Sequence, residues 1–363
     1  MTMNATENTS LIGNVMQESV DFRDIALCIY AYVTPVIVVI GLIGNFLSLI
    51  VFYSPTMKGL SASVYLSCLA LADSSVLVFY VLSEWIRRGL PWLIRDIDIM
   101  ILDVYGVCQA REYIAHLSRL IASWVIVAFT VERCCSVCYP LKSLQKNPKI
   151  VLCVLFIMCS IATVYTLFIN ESHSYGDFCV CSYREGYEYE HFIAESMFAT
   201  LTFFLPFVII SVCNGMIVHS LYRRHVSSIR SKCNLHLRKD CISILFAISV
   251  FYVAFHIPYF VVWCRLRIIT NPKGSPVRDN EFWDYWNGVL LICRLIYYLN
   301  YCLNFFLYCV TGSNFRSEMF RILLCKRQKY IITTTSGSTR SMHSFTRKRR
   351  MLSRTRTTSL KAS

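Results

Sequence analysis

Residues Leu27–Tyr53 read LCIYAYVTPVIVVIGLIGNFLSLIVFY, a stretch without one charged side chain. A bilayer core needs about 20 mostly apolar residues per helix, so this run alone is long enough to cross one. Six further stretches of the same character follow at about 62–86, 104–131, 149–169, 192–221, 240–264 and 286–310. Breaker residues separate them, at Ser54-Pro55, between Gly89 and Pro91, at Asn147-Pro148 and between Asn271 and Pro276. The predicted fold is an all-α membrane protein, a bundle of seven transmembrane helices. An odd number of crossings puts the two chain ends on opposite sides.

Composition agrees. The chain is 55% hydrophobic and 16% charged with a mean hydropathy of +0.49, whereas soluble domains carry about 25% charged residues. A soluble chain of 363 residues would divide into two or three domains, but one polytopic bundle consumes that length. The expected organisation is a tail over 1–26, the seven-helix domain over 27–310, an amphipathic eighth helix over 311–325 and a basic tail over 326–363. That last segment is rich in Ser, Thr and Arg, a composition that predicts disorder. Residues 1–24 lack the basic start and apolar core of a signal peptide, so the first apolar run is expected to direct membrane entry. Most of the 18 cysteines fall inside apolar runs, where Cys behaves as a small buried hydrophobe.

Orientation follows from the excess of Lys and Arg on the cytoplasmic side. From Thr311 to Ser363 there are thirteen Lys or Arg against one acid, Glu318. The loops at 138–148 and 222–239 carry Lys142, Lys146, Arg223, Arg224, Arg230, Lys232, Arg238 and Lys239 and no acid. N-glycosylation sequons at Asn4, Asn8 and Asn170 all fall on the opposite face, the only one where they can be used. The N-terminus is therefore expected outside and the C-terminus in the cytoplasm, as in a multi-pass plasma-membrane protein.

Ionisable groups within the spans point to function, because a charge in hydrocarbon must be paired or hydrated. Asp73 lies mid-span in the second stretch, with Asn45, Asn300 and Asn304 as candidate partners. The third stretch ends in Glu132-Arg133-Cys134 and the seventh in Asn304-Phe-Phe-Leu-Tyr308. No phosphate-binding Gly-rich loop, zinc-ligand spacing or nucleophile elbow stands out, so neither an enzyme nor a metal centre is expected.

Gly44-Asn45, the Leu-Ala-Leu-Ala-Asp run ending at Asp73, Glu132-Arg133-Cys134, Pro206, Pro258, and Asn304 with Tyr308 occur in the order found in rhodopsin-like G-protein-coupled receptors, which the chain resembles over residues 25–325. Within that family it is similar to invertebrate FMRFamide-type neuropeptide receptors, on the Asn-Phe-Phe-x-Tyr ending and on Asn214, where most members have tyrosine. The resemblance implies a polar network of Asn45, Asp73, Asn300 and Asn304 able to hold a sodium ion, with no other cofactor. It also implies coupling through Glu132, Arg133, Asn214, Pro258 and Tyr308 to a heterotrimeric G protein. Departures are Cys134 for tyrosine, Phe305 for the proline after Asn304, and His256 for the tryptophan two residues before Pro258. A disulfide from Cys108 to the second outer loop is implied too, with Cys181 or Cys179 as its partner.

Cys108, Glu112, His116 and Arg119 fall on one face of the third helix. Glu84, Glu195, His256 and Arg294 join them by family position to form a candidate ligand pocket. In one reading the acids meet a ligand cation while Arg119 and Arg294 meet an anion or carbonyl. In the other, Glu112 or Glu84 pairs with Arg119 and no ligand is involved. Ala115 stands where amine receptors carry aspartate, and the outer loop 183–191 is acidic and aromatic, so a peptide is favoured; the resemblance implies an amidated, basic one. A lipid or small metabolite is the alternative ligand, and a seven-helix transporter or channel the alternative class; the latter is disfavoured by the lack of paired repeats.

On the inner face, apolar residues at 315, 319, 320, 323 and 324 interleaved with arginines predict a helix lying in the membrane interface. Cys325 is a candidate palmitoylation site. Thr333, Ser336, Ser338 and Thr339 are candidate phosphorylation sites for receptor kinases and arrestin. The run Arg347–Arg350 is read as a binder of lipid headgroups rather than nucleic acid.

Overall fold

The computed structural model describes residues 22–94, 102–139, 147–175, 178–227, 235–269 and 280–324. Asn4, Asn8, Cys325, Lys142, Lys146, the breakers at 271–276 and the tail sites from Thr333 to Arg350 lie outside the described residues. The helices are α1 (Phe22–Phe52), α2 (Ser61–Leu93), α3 (Val107–Cys138), α4 (Pro148–Ile169), α5 (Glu188–Ala199, then Thr200–Phe204 and Leu205–Ser227), α6 (Leu235–Ile269), α7 (Asn280–Cys302 with Asn304–Thr311) and α8 (Ser313–Leu323). Six of the first seven are each long and apolar enough to cross a membrane, and the two pieces of α7 make the seventh, meeting at 52°. That bend occurs without proline: Leu303, at φ −89° and ψ −6°, interrupts the helix one residue before Asn304.

The partition of side chains is inverted relative to a soluble protein. Thr34, Asn45, Asp73, Glu84, Arg119, His256 and Asn304 are buried, while Val36, Ile43, Phe46, Ile157, Ile161 and Phe204 are exposed. Water would penalise that arrangement and lipid rewards it. α3 is the central element, packed on α2, α4, α5 and α6, while α1 closes the bundle against α2 and α7. α4 is peripheral, with only Cys159, Thr163 and Thr166 buried along its length. Asn147 caps its start by accepting from the Lys149 backbone N–H at 3.1 Å, with Pro148 in the first turn.

Two intramembrane prolines show how the interior repairs a broken ladder. Proline has no N–H, so the carbonyl one turn earlier loses its donor. Pro35 leaves Ala31 O open, and the Trp85 indole N–H of α2 donates to it at 2.8 Å. Before Pro206, α5 widens into a π-helical turn over Thr200–Phe204, so that both Leu201 O and Thr202 O lack a partner at 206. The Trp124 indole fills the first at 3.1 Å and the Tyr252 hydroxyl the second at 2.7 Å. In lipid, such an unpaired group would cost several kcal/mol.

Between α4 and α5 lies an antiparallel hairpin, β1 (Asn170–Tyr175) on β2 (Phe178–Tyr183). Its register sets Ser172 opposite Cys181 and Ser174 opposite Cys179. Cys181 is bonded to Cys108 at the start of α3, with Cα atoms 5.6 Å apart, and Cys179 is a free thiol. At the other end, Arg316 donates to the Cys309 and Val310 carbonyls at 2.9 and 2.7 Å, satisfying the last turn of α7 from α8. Phe315 is buried against Phe52 and Tyr308, and Phe320 is exposed.

Candidate functional site

A cavity of about 480 Å³ lies among α2, α3, α5, α6 and α7, with residues 181–183 of the hairpin on its wall. The disulfide holds that wall in place, since Cys181 lines the cavity and Cys108 anchors it to α3. Glu84, Glu112, His116, Arg119, Glu195 and Arg294 all line it, so six of the seven residues expected in a ligand pocket come together.

His256 does not. It is buried beneath, its Nδ1 2.7 Å from the Tyr252 carbonyl and its ring 3.9 Å from that of Tyr252 and 4.9 Å from that of Tyr297. The expectation that it faces ligand is corrected on physical grounds: the helical i−4 carbonyl captures Nδ1 and the surrounding tyrosines enclose the ring. Its Nε2 is buried and has no hydrogen-bond partner.

Charge in the cavity is distributed unequally. Glu84 is surrounded by arginines, with Arg294 Nη1 and Arg88 Nε each at 2.9 Å, Arg87 Nη1 at 3.5 Å and Arg111 Nη1 at 3.9 Å. Arg111 also meets Glu112 at 2.9 Å and Asp103 at 3.6 Å, and Arg87 meets Asp103 at 3.2 Å. Glu195 faces His116 Nε2 at 3.1 Å and the Tyr165 hydroxyl at 3.4 Å. The two arginines expected in the pocket part company here. Arg294 is paired with Glu84, whereas Arg119 lies with its guanidinium carbon 4.2 Å above the Tyr80 ring and 4.8 Å from that of Phe198. The expected alternative, an internal bridge from Glu84 or Glu112 to Arg119, is absent among the described residues. Arg87, Arg88 and Arg111 lie closer to both acids in sequence or across one helix turn, and they take those carboxylates first.

Several contributors escaped the reading of the sequence. Arg87, Arg88 and Asp103 lie just outside the second and third apolar stretches and Arg111 just inside the third; Glu84 with Arg87 and Arg88 has the i, i+3 and i+4 spacing that marks helical ion pairs. Arg267 lines the cavity, stacked 4.7 Å from the Phe192 ring and donating to the His191 carbonyl at 3.2 Å. Tyr80, Tyr259, Tyr297, Tyr298 and Tyr301 form an aromatic core between α2, α6 and α7, with Tyr259 and Tyr297 stacked at 5.0 Å. The i, i+1, i+4 spacing of Tyr297, Tyr298 and Tyr301 was the available signal.

Further in, Asn304 Nδ2 donates to Asp73 Oδ2 at 2.6 Å. Asn45 Nδ2 donates to the Tyr301 carbonyl at 3.0 Å, in the last turn before the α7 bend. Asn300 is buried one turn before Asn304. Asp73 Oδ1 and Asn45 Oδ1 remain buried without a hydrogen-bond partner. Oxygen acceptors of this kind suit a hard monovalent cation such as sodium, to which Asp73 would offer a carboxylate and Asn45 an amide oxygen. At the inner end, Arg133 donates to Ser61 Oγ at 2.6 Å and to Glu132 at 3.2 Å. Tyr308 is fully buried against Phe52 and Phe315, and Asn214 keeps an unpartnered amide oxygen. Pro258 lies within α6, and Asn170 donates to the Thr166 carbonyl at 3.0 Å.

Seven apolar helices around a disulfide-walled polar cavity, with an arginine at the opposite end of α3, define a polytopic membrane receptor. The chain belongs to the rhodopsin family of seven-transmembrane receptors, which matches residues 44–308, and it is therefore a G-protein-coupled receptor and not an enzyme. It is 25% identical to the thyrotropin-releasing hormone receptor of Mus musculus over 339 residues, covering 82% of this chain and 81% of that one. The mesotocin receptor of Rhinella marina is 21% identical over 366 residues (92% and 86% covered), and a purinoceptor of Rattus norvegicus 24% over 295 (78% and 74% covered).

Proposed function

We propose that this protein is a plasma-membrane receptor for a neuropeptide, with its N-terminus outside, and that it passes ligand binding to a heterotrimeric G protein. The observation that carries the reading is the cavity: about 480 Å³, inside the ligand-pocket range of about 300–1,000 Å³, and walled by a hairpin tethered to α3. That volume admits one end of a peptide and leaves the rest to the hairpin and outer loops. Receptors for a releasing hormone and for mesotocin among its relatives support a peptide. Ligand contacts fall to Glu84, Glu112, His116, Arg119, Glu195 and Arg294, and the inner surface to Arg133, Glu132, Asn214 and Tyr308. Receptor kinases and arrestin act on the tail serines and threonines, lipid headgroups meet Arg347–Arg350, and Asn4, Asn8 and Asn170 carry glycans.

The test is a neuropeptide library applied to cells expressing the chain, with calcium and cyclic AMP read together. A guanine-nucleotide-dependent response to a peptide supports the reading; ion or solute flux without it overturns it. A second reading, a small anionic ligand, is favoured by the purinoceptor among the relatives and by the excess of arginine in the cavity. A nucleotide panel in the same assay separates the two.

A further inference from the structure

Resting on the peptide reading, we propose that the end of the ligand entering the cavity carries a carboxylate and that Arg119 binds it. Three carboxylates line the cavity against five arginines, Arg87, Arg88, Arg119, Arg267 and Arg294. Each of the three acids already has a cation or donor from the protein: Glu84 has Arg294 and Arg88 at 2.9 Å, Glu112 has Arg111 at 2.9 Å, and Glu195 has His116 at 3.1 Å. A ligand cation arriving there would have to displace an existing partner.

Arg119 is in the opposite position. Among the described residues no carboxylate is within ion-pair range of it, and its Nε donates only to the Ala115 carbonyl at 3.2 Å. It is 8% exposed, and its charge is held by the faces of Tyr80 and Phe198. A guanidinium stays ionised wherever it is placed, and stacking on aromatic rings recovers much less than burying such a charge costs. Arg119 is thus a buried guanidinium with no carboxylate in direct contact among the described residues, Glu195 acting on it only from beyond ion-pair distance.

Arg119 lies about 16 Å inward of Cys108 along α3, so only the leading end of a ligand reaches it. The planar fork fits a carboxylate through two parallel N–H donors. Phe198, Phe203 and Tyr259 in the same lining give aromatic surface for the residue that carries the carboxylate. This reverses the expectation of a basic, amidated ligand.

The experiment exposes cells expressing the full chain to synthetic tetrapeptides in three matched sets: free C-terminal acids, C-terminal amides, and amides ending in glutamate. Nucleotides are run in parallel. The acids are expected to be more potent than the plain amides by roughly tenfold or more. The Glu-ended amides distinguish a side-chain carboxylate from a terminal one. Arg119→Gln at matched surface expression is expected to lower acid potency by roughly 10- to 100-fold and to abolish the preference for acids over plain amides. Arg119→Lys, which keeps the charge but loses the fork, is expected to fall between, and it carries the test where the Gln variant does not reach the surface. Plain amides as potent as acids, or acid potency unchanged in the variants, overturns the carboxylate site while the peptide reading stands. A response to nucleotides alone, or to nothing, overturns both.

Discussion

Replacing Glu84 by glutamine removes one carboxylate oxygen and the charge that four arginines share, and the structure indicates how much each loses. Arg294 and Arg111 have side chains only 13% and 7% exposed, whereas Arg88 is 46% exposed. Exposed pairs contribute about 0–1 kcal/mol, so the Arg88 contact adds little despite its 2.9 Å distance. Breaking a buried pair leaves the partner charge unpaired at about 3–5 kcal/mol, and here that partner is Arg294, since Arg111 keeps Glu112 and Asp103. Glu84→Gln is therefore expected to lower the unfolding midpoint of the purified receptor by roughly 5–10 °C, and Arg88→Gln by no more than about 1–2 °C. Because Cys159, Cys293 and Cys302 are buried thiols, a thiol-reactive fluorescent dye reports unfolding without any ligand. The double replacement Glu84→Gln with Arg294→Gln should recover more than half of the loss, as both buried charges are then gone. If Arg88→Gln destabilises as much as Glu84→Gln, or the double replacement recovers nothing, the assignment of the buried pair to Glu84 and Arg294 is wrong.

Trp85→Phe keeps most of the packed ring but strips the donor from Ala31 O, and is expected to destabilise by about 1–3 kcal/mol in the same dye assay. Cys108→Ser and Cys181→Ser should each abolish ligand response, while Cys179→Ser leaves it intact, with disulfide mapping by mass spectrometry as an independent check. Gly41→Ala places a Cβ 2.6 Å from Leu77 Cδ1 and 3.2 Å from Cys302 Cα, so it should separate α1 from α7 and reduce surface expression; normal expression would mean that α1 has room to shift. Arg133→Ala is expected to leave ligand binding in place and remove the G-protein response.

The bundle was legible because its signal is crude: twenty apolar residues cannot be hidden in any other fold, and each of the seven runs became a span. The choice between Cys179 and Cys181 was not, because residues i and i+2 of a strand share a face and only the pairing register separates them. Nor was the π-helical turn of α5 visible, since Pro206 says that a carbonyl is freed but not that Trp124 and Tyr252 stand ready to meet it. Half of the expected pocket came from one face of α3 and the rest from family position, yet its charge balance was misjudged. Arg87, Arg88 and Arg111 sit at helix ends, where basic residues normally reach solvent, and only the folded bundle turns them inward onto Glu84 and Glu112. His256 was placed with the ligand by family position, but its Nδ1 is held by the Tyr252 carbonyl one turn earlier and its ring packs among tyrosines.

Everything said of the cavity as an outward-facing site depends on which way the seven helices cross the membrane. Epitope tags placed before Met1 and after Ser363 and probed on intact and permeabilised cells read this directly. The account predicts that the first tag is reached on intact cells and the second only after permeabilisation. Both tags on one side, or the reverse order, would contradict it.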